Sequence, residues 1–313
     1  MNPQNNSSPS GTPTSLAIGD AFIRHTMATQ AIRNIDLLYD MKPSADHGWC
    51  GLLVGPTGSG KSAVLRAFCA KHKPSRTPHL IQPVLSVRLP DKCNTRTLSE
   101  VLLIEQKDPA ATKRSSIPEV QRAAVEHLVR QKTRLIIFDE AQHATKGDTY
   151  EAANFFKHIL NASNANILFA GLPSTDALME NDQLDGRAII EIELRAFDWW
   201  GKDQKDQREF LGVLKQFQKM LSLPLLGFDL TDEDTAWRLA YGSKGLLRPV
   251  VKFLKLLEKY AEQEGGAFIE KPLLEIVWGR LPRKHRLSDA NPFSLPAVPK
   301  PWRPAGRRTG ERD

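Results

Sequence analysis

The chain has 313 residues, 41% apolar and 25% charged, with a formal net charge of +7. That is the size of one large domain, or of a domain with a small satellite, and the composition of an ordinary globular protein. No apolar run approaches the roughly 18–20 residues of a membrane helix, and the start, MNPQNNSSPSGTPTS, lacks the order of an export signal and reads as a disordered polar leader over 1–19.

Residues 20–41 place Phe22, Ile32, Ile35, Leu38 and Met41 at helical spacing. A short apolar strand, 49–54, leads into the glycine-rich loop GPTGSGKS, and a helix follows with Val64, Leu65 and Phe68 on one side. A second strand is expected at 83–89. Two helices then open with capping boxes, Thr97 with Glu100 and Ser116 with Glu119. Residues 135–138 form a buried-type strand ending in Asp139-Glu140, followed by a helix over about 150–162 and strands at 166–171 and 189–194. This alternation predicts an α/β core with a parallel sheet covered on both faces. After residue 196 the apolar spacing is helical: Phe210, Leu214, Phe217 and Leu221 on one segment, Val250, Val251, Leu254 and Leu257 on another. The reading is an α/β core over 20–200, a small helical lid over 201–279 and a tail over 280–313.

The tail carries nine Lys/Arg against three Asp/Glu, a surplus of six that leaves only +1 for residues 1–279. With six prolines it is expected to be extended, an arm for nucleic acid or a partner protein. The three cysteines, Cys50, Cys69 and Cys93, form no CxxC pair, and the eight histidines no metal-ligand cluster, so a reducing cytoplasm and no structural metal are expected.

Gly55-Pro56-Thr57-Gly58-Ser59-Gly60-Lys61-Ser62 matches GxxxxGK[ST] between a strand and a helix, the context that the phosphate-binding loop requires. Its glycines let backbone N–H groups converge on phosphate oxygens, and the helix start adds a positive dipole end. Lys61 is then the partner of the β- and γ-phosphates of ATP, and Ser62 a ligand of Mg²⁺. Asp139, at the carboxyl end of its strand, is the second residue for the magnesium, and Glu140 the general base for the attacking water. The string Asp139-Glu140-Ala141-Gln142 looks also like a DEAx-box helicase, but the expected second RecA-like domain has neither room nor residues here.

With IRHTMATQAI, GLLVGPTGSGKSAVLRAF, LIIFDEAQHAT, ILFAGLPSTDAL, LPLLGFDLTDED and GSKGLLRPVVKFLKLLEKYA in this order, the chain resembles AAA+ ATPases. The resemblance is closer to the TniB/TnsC family of bacterial transposition regulators, relatives of MuB. It implies an AAA+ ATPase, ATP and Mg²⁺ as ligands, and a bacterial cytoplasm. It also implies a homo-oligomeric ring or helical filament on double-stranded DNA, with a transposase and a TniQ-like target-selection protein as partners. By the same resemblance Arg187 stands at the arginine-finger position and Arg248 at the sensor-2 position. Leu172 and Pro173 stand where the family puts a polar sensor, with Ser174 or Thr175 as substitutes, so hydrolysis is expected to be slow or partner-stimulated. The loops DKCNTRT and ATKRSS supply Lys92, Arg96, Lys113 and Arg114 as candidate DNA-backbone contacts, which carry no base sequence. The tail's Asn291-Pro292-Phe293 and Trp302 form a candidate docking peptide. The alternative is an AAA+ partner-binding module of secretion or initiator type, switched by nucleotide without assembly on random DNA.

Overall fold

The computed structural model describes residues 22–297 apart from 45–46, 77, 181, 202–203, 283–285, 287 and 289. The leader and the tail beyond residue 297, with Trp302, lie outside that range.

Five short apolar runs make one parallel sheet: β1 (Cys50–Val54), β2 (Val84–Arg88), β3 (Leu135–Asp139), β4 (Asn166–Gly171) and β5 (Ala188–Glu193), in the order β2-β3-β4-β1-β5. All of β1 and β4 is buried, because a central parallel strand has helices on both faces. The register sets Arg88 beside Asp139, Asp139 beside Ala170, and Gly171 and Glu193 beside Val54. The carboxyl ends of all five strands therefore share one edge.

The crossovers are α1 (Thr26–Asp40), which enters the sheet, α2 (Lys61–Cys69), α3 (Thr95–Glu105), α4 (Ile117–Arg130), α5 (Thr149–Ser163) and the single turn α6 (Asp182–Asp185). They bury one apolar cluster on each face, with Phe138, Phe156 and Phe169 on one side and Leu38, Leu53, Phe68 and Ile137 on the other. The first helix starts at Thr26, not at 20, because His25 is extended and its ring nitrogen accepts from the Ala28 N–H. The cap of α3 is likewise Asn94, whose side chain accepts from Thr97 N–H; Thr97 is inside the helix. Ser116 caps α4 as its sequence predicts, accepting from Glu119 N–H.

Beyond β5 lie α7 (Lys205–Gln218), α8 (Glu233–Ser243), α9 (Leu247–Gln263) and α10 (Lys271–Arg280), with a two-residue parallel pair, β6 (Leu225–Leu226) and β7 (Ile269–Glu270), that the helical spacing concealed. Their apolar faces make a third cluster around Phe210, Phe253 and Trp278. The segment Asn291-Pro292-Phe293 is not a free arm. Phe293 stacks on Phe253 at 5.6 Å and meets Trp278 edge-on at 5.7 Å, while Arg238 donates to the carbonyl of Leu295 at 2.7 Å and to that of Pro292.

Candidate functional site

β1 runs straight into the loop 55–60, and α2 begins at Lys61 with Gly60 as its N-cap at φ +107°. No side chain caps this helix start, so its first N–H groups face the loop. Gly55 is held between strands, where an added Cβ would lie 2.2 Å from the Leu194 carbonyl oxygen. Ser59 Oγ is buried and meets no partner among the described residues. Lys61 Nζ folds back to donate to the carbonyls of Gly55 (2.6 Å) and Pro56 (3.1 Å). Donors aimed at a cradle of glycines, with an orphaned hydroxyl, fit a phosphate chain.

The electrostatics point the same way. Burial lowers the Lys61 ammonium from its ordinary range, against the pull of Glu140 and Asp139, and Arg248 adds to the lowering. Burial raises the Asp139 carboxyl, with the Glu140 N–H opposing and the Glu140 carboxylate adding. Both groups are desolvated, and an anionic nucleotide with a divalent cation would relieve both. Ser62 and Asp139 both line the cavity over the loop.

Glu140 sits at the strand's end in the left-handed region, φ +58°, a corner that a non-glycine residue adopts at a cost of about 1–2 kcal/mol. Its backbone N–H donates to Asp139 Oδ1 at 2.9 Å. Its carboxylate lies 3.6 Å from Arg88 Nη2 through one oxygen and accepts from Gln142 Nε2 at 2.6 Å through the other.

The cavity over the loop, about 280 Å³, has a polar end at Thr57, Gly58, Lys61, Ser62, Asp139 and Glu140 and an apolar end at Phe22, Ile23, Phe217, Leu247 and Val251. The apolar end suits an aromatic base. Sequence reasoning missed it, since it joins three distant stretches; its one local signal is that Phe22 and Ile23 precede the helix they seemed to begin. The lid grips this entry strap directly: the Gln216 amide bonds both N–H and C=O of Arg24, at 3.1 and 2.8 Å, and Glu209 accepts from the Thr26 N–H at 2.9 Å.

Arg248, the sensor-2 candidate, is brought into the site. Its N–H donates to the Gly58 carbonyl at 3.2 Å, and its side chain lines the cavity. Leu172 lines it too, but Ser174 and Thr175 do not; Thr175 is fully buried beneath Gly171. The proposed hydroxyl substitutes for a polar sensor therefore do not reach the cavity. Arg187 lies at the amino end of β5, bonded to Asn161 Oδ1 at 2.6 Å. A strand length of about 17 Å separates it from this chain's own loop, so a finger role requires a neighbouring copy. Arg195, not singled out from sequence, pairs with the largely buried Asp206 at the start of α7 and ties lid to core.

The two basic loops are unequal. Arg96 is spent on Glu100 and on the carbonyls of Arg114 and Ser115, and Arg114 on Asp108 at 2.7 Å and the Ala110 carbonyl. Burial works to raise the Asp108 carboxyl, but Ala110 N–H and the Arg114 guanidinium hold it below its ordinary range. These arginines fasten the α3–α4 turn, whereas Lys92 and Lys113 stand exposed.

A family model described as the bacterial TniB protein matches residues 16–191. The chain belongs to the TniB family. No curated protein matches its sequence. Among solved structures, this TniB-family chain is similar to the ORC2 protein of Aeropyrum pernix in ADPNP–ADP complexes, at 15% identity and a TM-score of 0.58, over 87% of this chain and 70% of that one. It is similar also to Cdc6p of Pyrobaculum aerophilum, at 18% identity and TM-score 0.57, over 88% and 70% of the two chains. The A. pernix ORC1 protein, solved in complex with DNA, gives 14% identity and TM-score 0.61, over 84% and 67%. At these identities the likeness establishes the fold, that of AAA+ P-loop ATPases. No helix among the described residues is long and apolar enough to cross a membrane.

Proposed function

We propose that this TniB-family protein is an ATP-dependent regulator of DNA transposition that assembles on target DNA, recruits a transposase and answers to a TniQ-like target-selection protein. The observation that carries the reading is the phosphate cradle closed by Arg248 of the lid, in a chain of this family. Lys61 neutralises the β- and γ-oxygens, while the N–H groups at the start of α2 receive phosphate. Ser62 and Asp139 would hold Mg²⁺, which would supply charge neutralisation of the triphosphate. Glu140 accepts a proton from the attacking water. Because the lid bonds both Gly58 and the strap 23–26, nucleotide binding and lid position are coupled, which would let ATP switch a head-to-tail contact between copies. In that contact Arg187 serves the neighbour's nucleotide. Lys92 and Lys113 meet the DNA backbone, and the protein works in the bacterial cytoplasm.

Co-sedimentation with random-sequence duplex, with and without a slowly hydrolysed ATP analogue, tests this beside Lys61→Ala. Association that needs both nucleotide and Lys61, and that weakens with salt, is the expected result. No association with duplex under any nucleotide would overturn it in favour of a protein-partner switch.

A further inference from the structure

Gln142 lies two residues beyond Glu140, in the 3-10 turn Ala141–His143, and its side chain is buried. Its Nε2 donates to Glu140 Oε2 at 2.6 Å, and its Oε1 accepts from the Leu172 N–H at 3.1 Å. A carboxylate only accepts and a peptide N–H only donates, so this amide has one orientation. It bridges the tips of β3 and β4. The approach demands glycine at 171, where an added Cβ would lie 2.5 Å from Gln142 Oε1 and 2.3 Å from Thr175 Oγ1. The Gly171 carbonyl in turn accepts from the Gly55 N–H at 3.2 Å, so the bridge is continuous with the start of the phosphate loop.

We infer that Gln142 is a positioning residue for ATP hydrolysis: its amide supplies, from the β3 side, the polar link to the β4 tip that Leu172 cannot provide, and thereby aims the Glu140 carboxylate. The inference rests on the base role proposed for Glu140. That side chain is 36% exposed, and its other restraint, Arg88, is 77% exposed at 3.6 Å. An exposed pair at that distance is a weak hold. The buried amide is the stronger one. Binding of nucleotide, whose contacts lie on the loop and lid, does not use it.

The test uses the full chain and measures ATP turnover, as kcat and KM separately, and affinity for a slowly hydrolysed analogue. Gln142→Met keeps the volume and removes both bonds. Gln142→Glu keeps the acceptor for Leu172 but sets a carboxylate against Glu140. Gly171→Ala displaces an unaltered amide. Gln142→Met is expected to lower kcat about 10- to 100-fold, the loss typical of a reacting group misplaced by about 1 Å, with KM and analogue affinity unchanged. Gly171→Ala should reproduce that loss. Gln142→Glu should be slower still than Gln142→Met, because it sets a second carboxylate against Glu140. Parental kcat in Gln142→Met, or affinity falling in parallel with kcat, would overturn the inference while leaving the base reading intact. Full turnover in Glu140→Gln would instead remove the base reading, and this inference with it.

Discussion

Gly58 is the point where the phosphate loop touches the lid, and substituting it by alanine tests that contact. Its φ is +93°, and an added Cβ would lie 2.9 Å from Arg248 Cβ, inside contact distance. Gly60 offers the control: its φ is +107°, but nothing lies within 4 Å of the added atom. Both substitutions incur the left-handed strain of about 1–2 kcal/mol. Only Gly58→Ala adds an overpacking cost of about 1–3 kcal/mol and puts the Arg248-to-Gly58 hydrogen bond, worth about 1 kcal/mol, at risk. Gly58→Ala should therefore unfold more readily than Gly60→Ala by about 2 kcal/mol in urea denaturation without nucleotide. Arg248→Gly removes the clashing Cβ, so Gly58→Ala combined with Arg248→Gly should recover that difference in a double-mutant cycle. Equal stabilities for the two alanine variants, or strict additivity in the cycle, would refute the claim that the lid rests on the loop at Gly58.

Asp206→Ala should destabilise the protein by about 2 kcal/mol, a figure kept below that of a fully buried pair because Arg195 is half exposed. Burial works to raise the Asp206 carboxyl, but Arg195 and the Asp198 N–H hold it below its ordinary range. Its stabilising contribution is thus fully present above the ordinary carboxylate range and is lost as pH falls through the lowered value. Acid denaturation should show a weaker dependence there in Asp206→Asn than in the parent. Phe293→Ala, which empties the slot beside Phe253 and Trp278, should cost about 2–3 kcal/mol, less than a fully buried phenylalanine, and read out as a lowered Tm. In DNA binding, Lys92→Ala and Lys113→Ala should each lower the salt slope by about one. Arg114→Ala should lower thermal stability and leave that slope unchanged, because its guanidinium is spent on Asp108.

Several features were legible because their causes are local in the chain. Five short apolar runs are strands because each is too short for a buried helix and is bounded by polar turns, and the structure shifts their ends by a residue at most. The phosphate loop is legible for a related reason: a left-handed turn and a helix start need glycines at fixed offsets, whatever surrounds them. Ser116 caps its helix through a hydrogen bond three residues long. Where a nearer competitor existed, the local rule misjudged, as when Asn94 took the cap assigned to Thr97.

Other features depend on which side chains meet across long separations. Nothing in the spacing says that Arg96 and Arg114 spend their donors on the α3–α4 turn while Lys92 and Lys113 do not. Nothing local brings Phe22, Phe217 and Val251 to one end of a cavity, or seats Phe293 on Trp278. The chemistry available, a phosphate cradle with two acidic residues at a strand end, is written along the chain, because backbone geometry and residue type suffice for it. Tertiary packing decided how that chemistry is arranged: the lid sets Arg248 on the loop, while within the core Arg187 lies a strand away and Gln142 links Glu140 to the tip of β4. Such pairings are set by which surfaces bury each other, and that is a property of the whole fold.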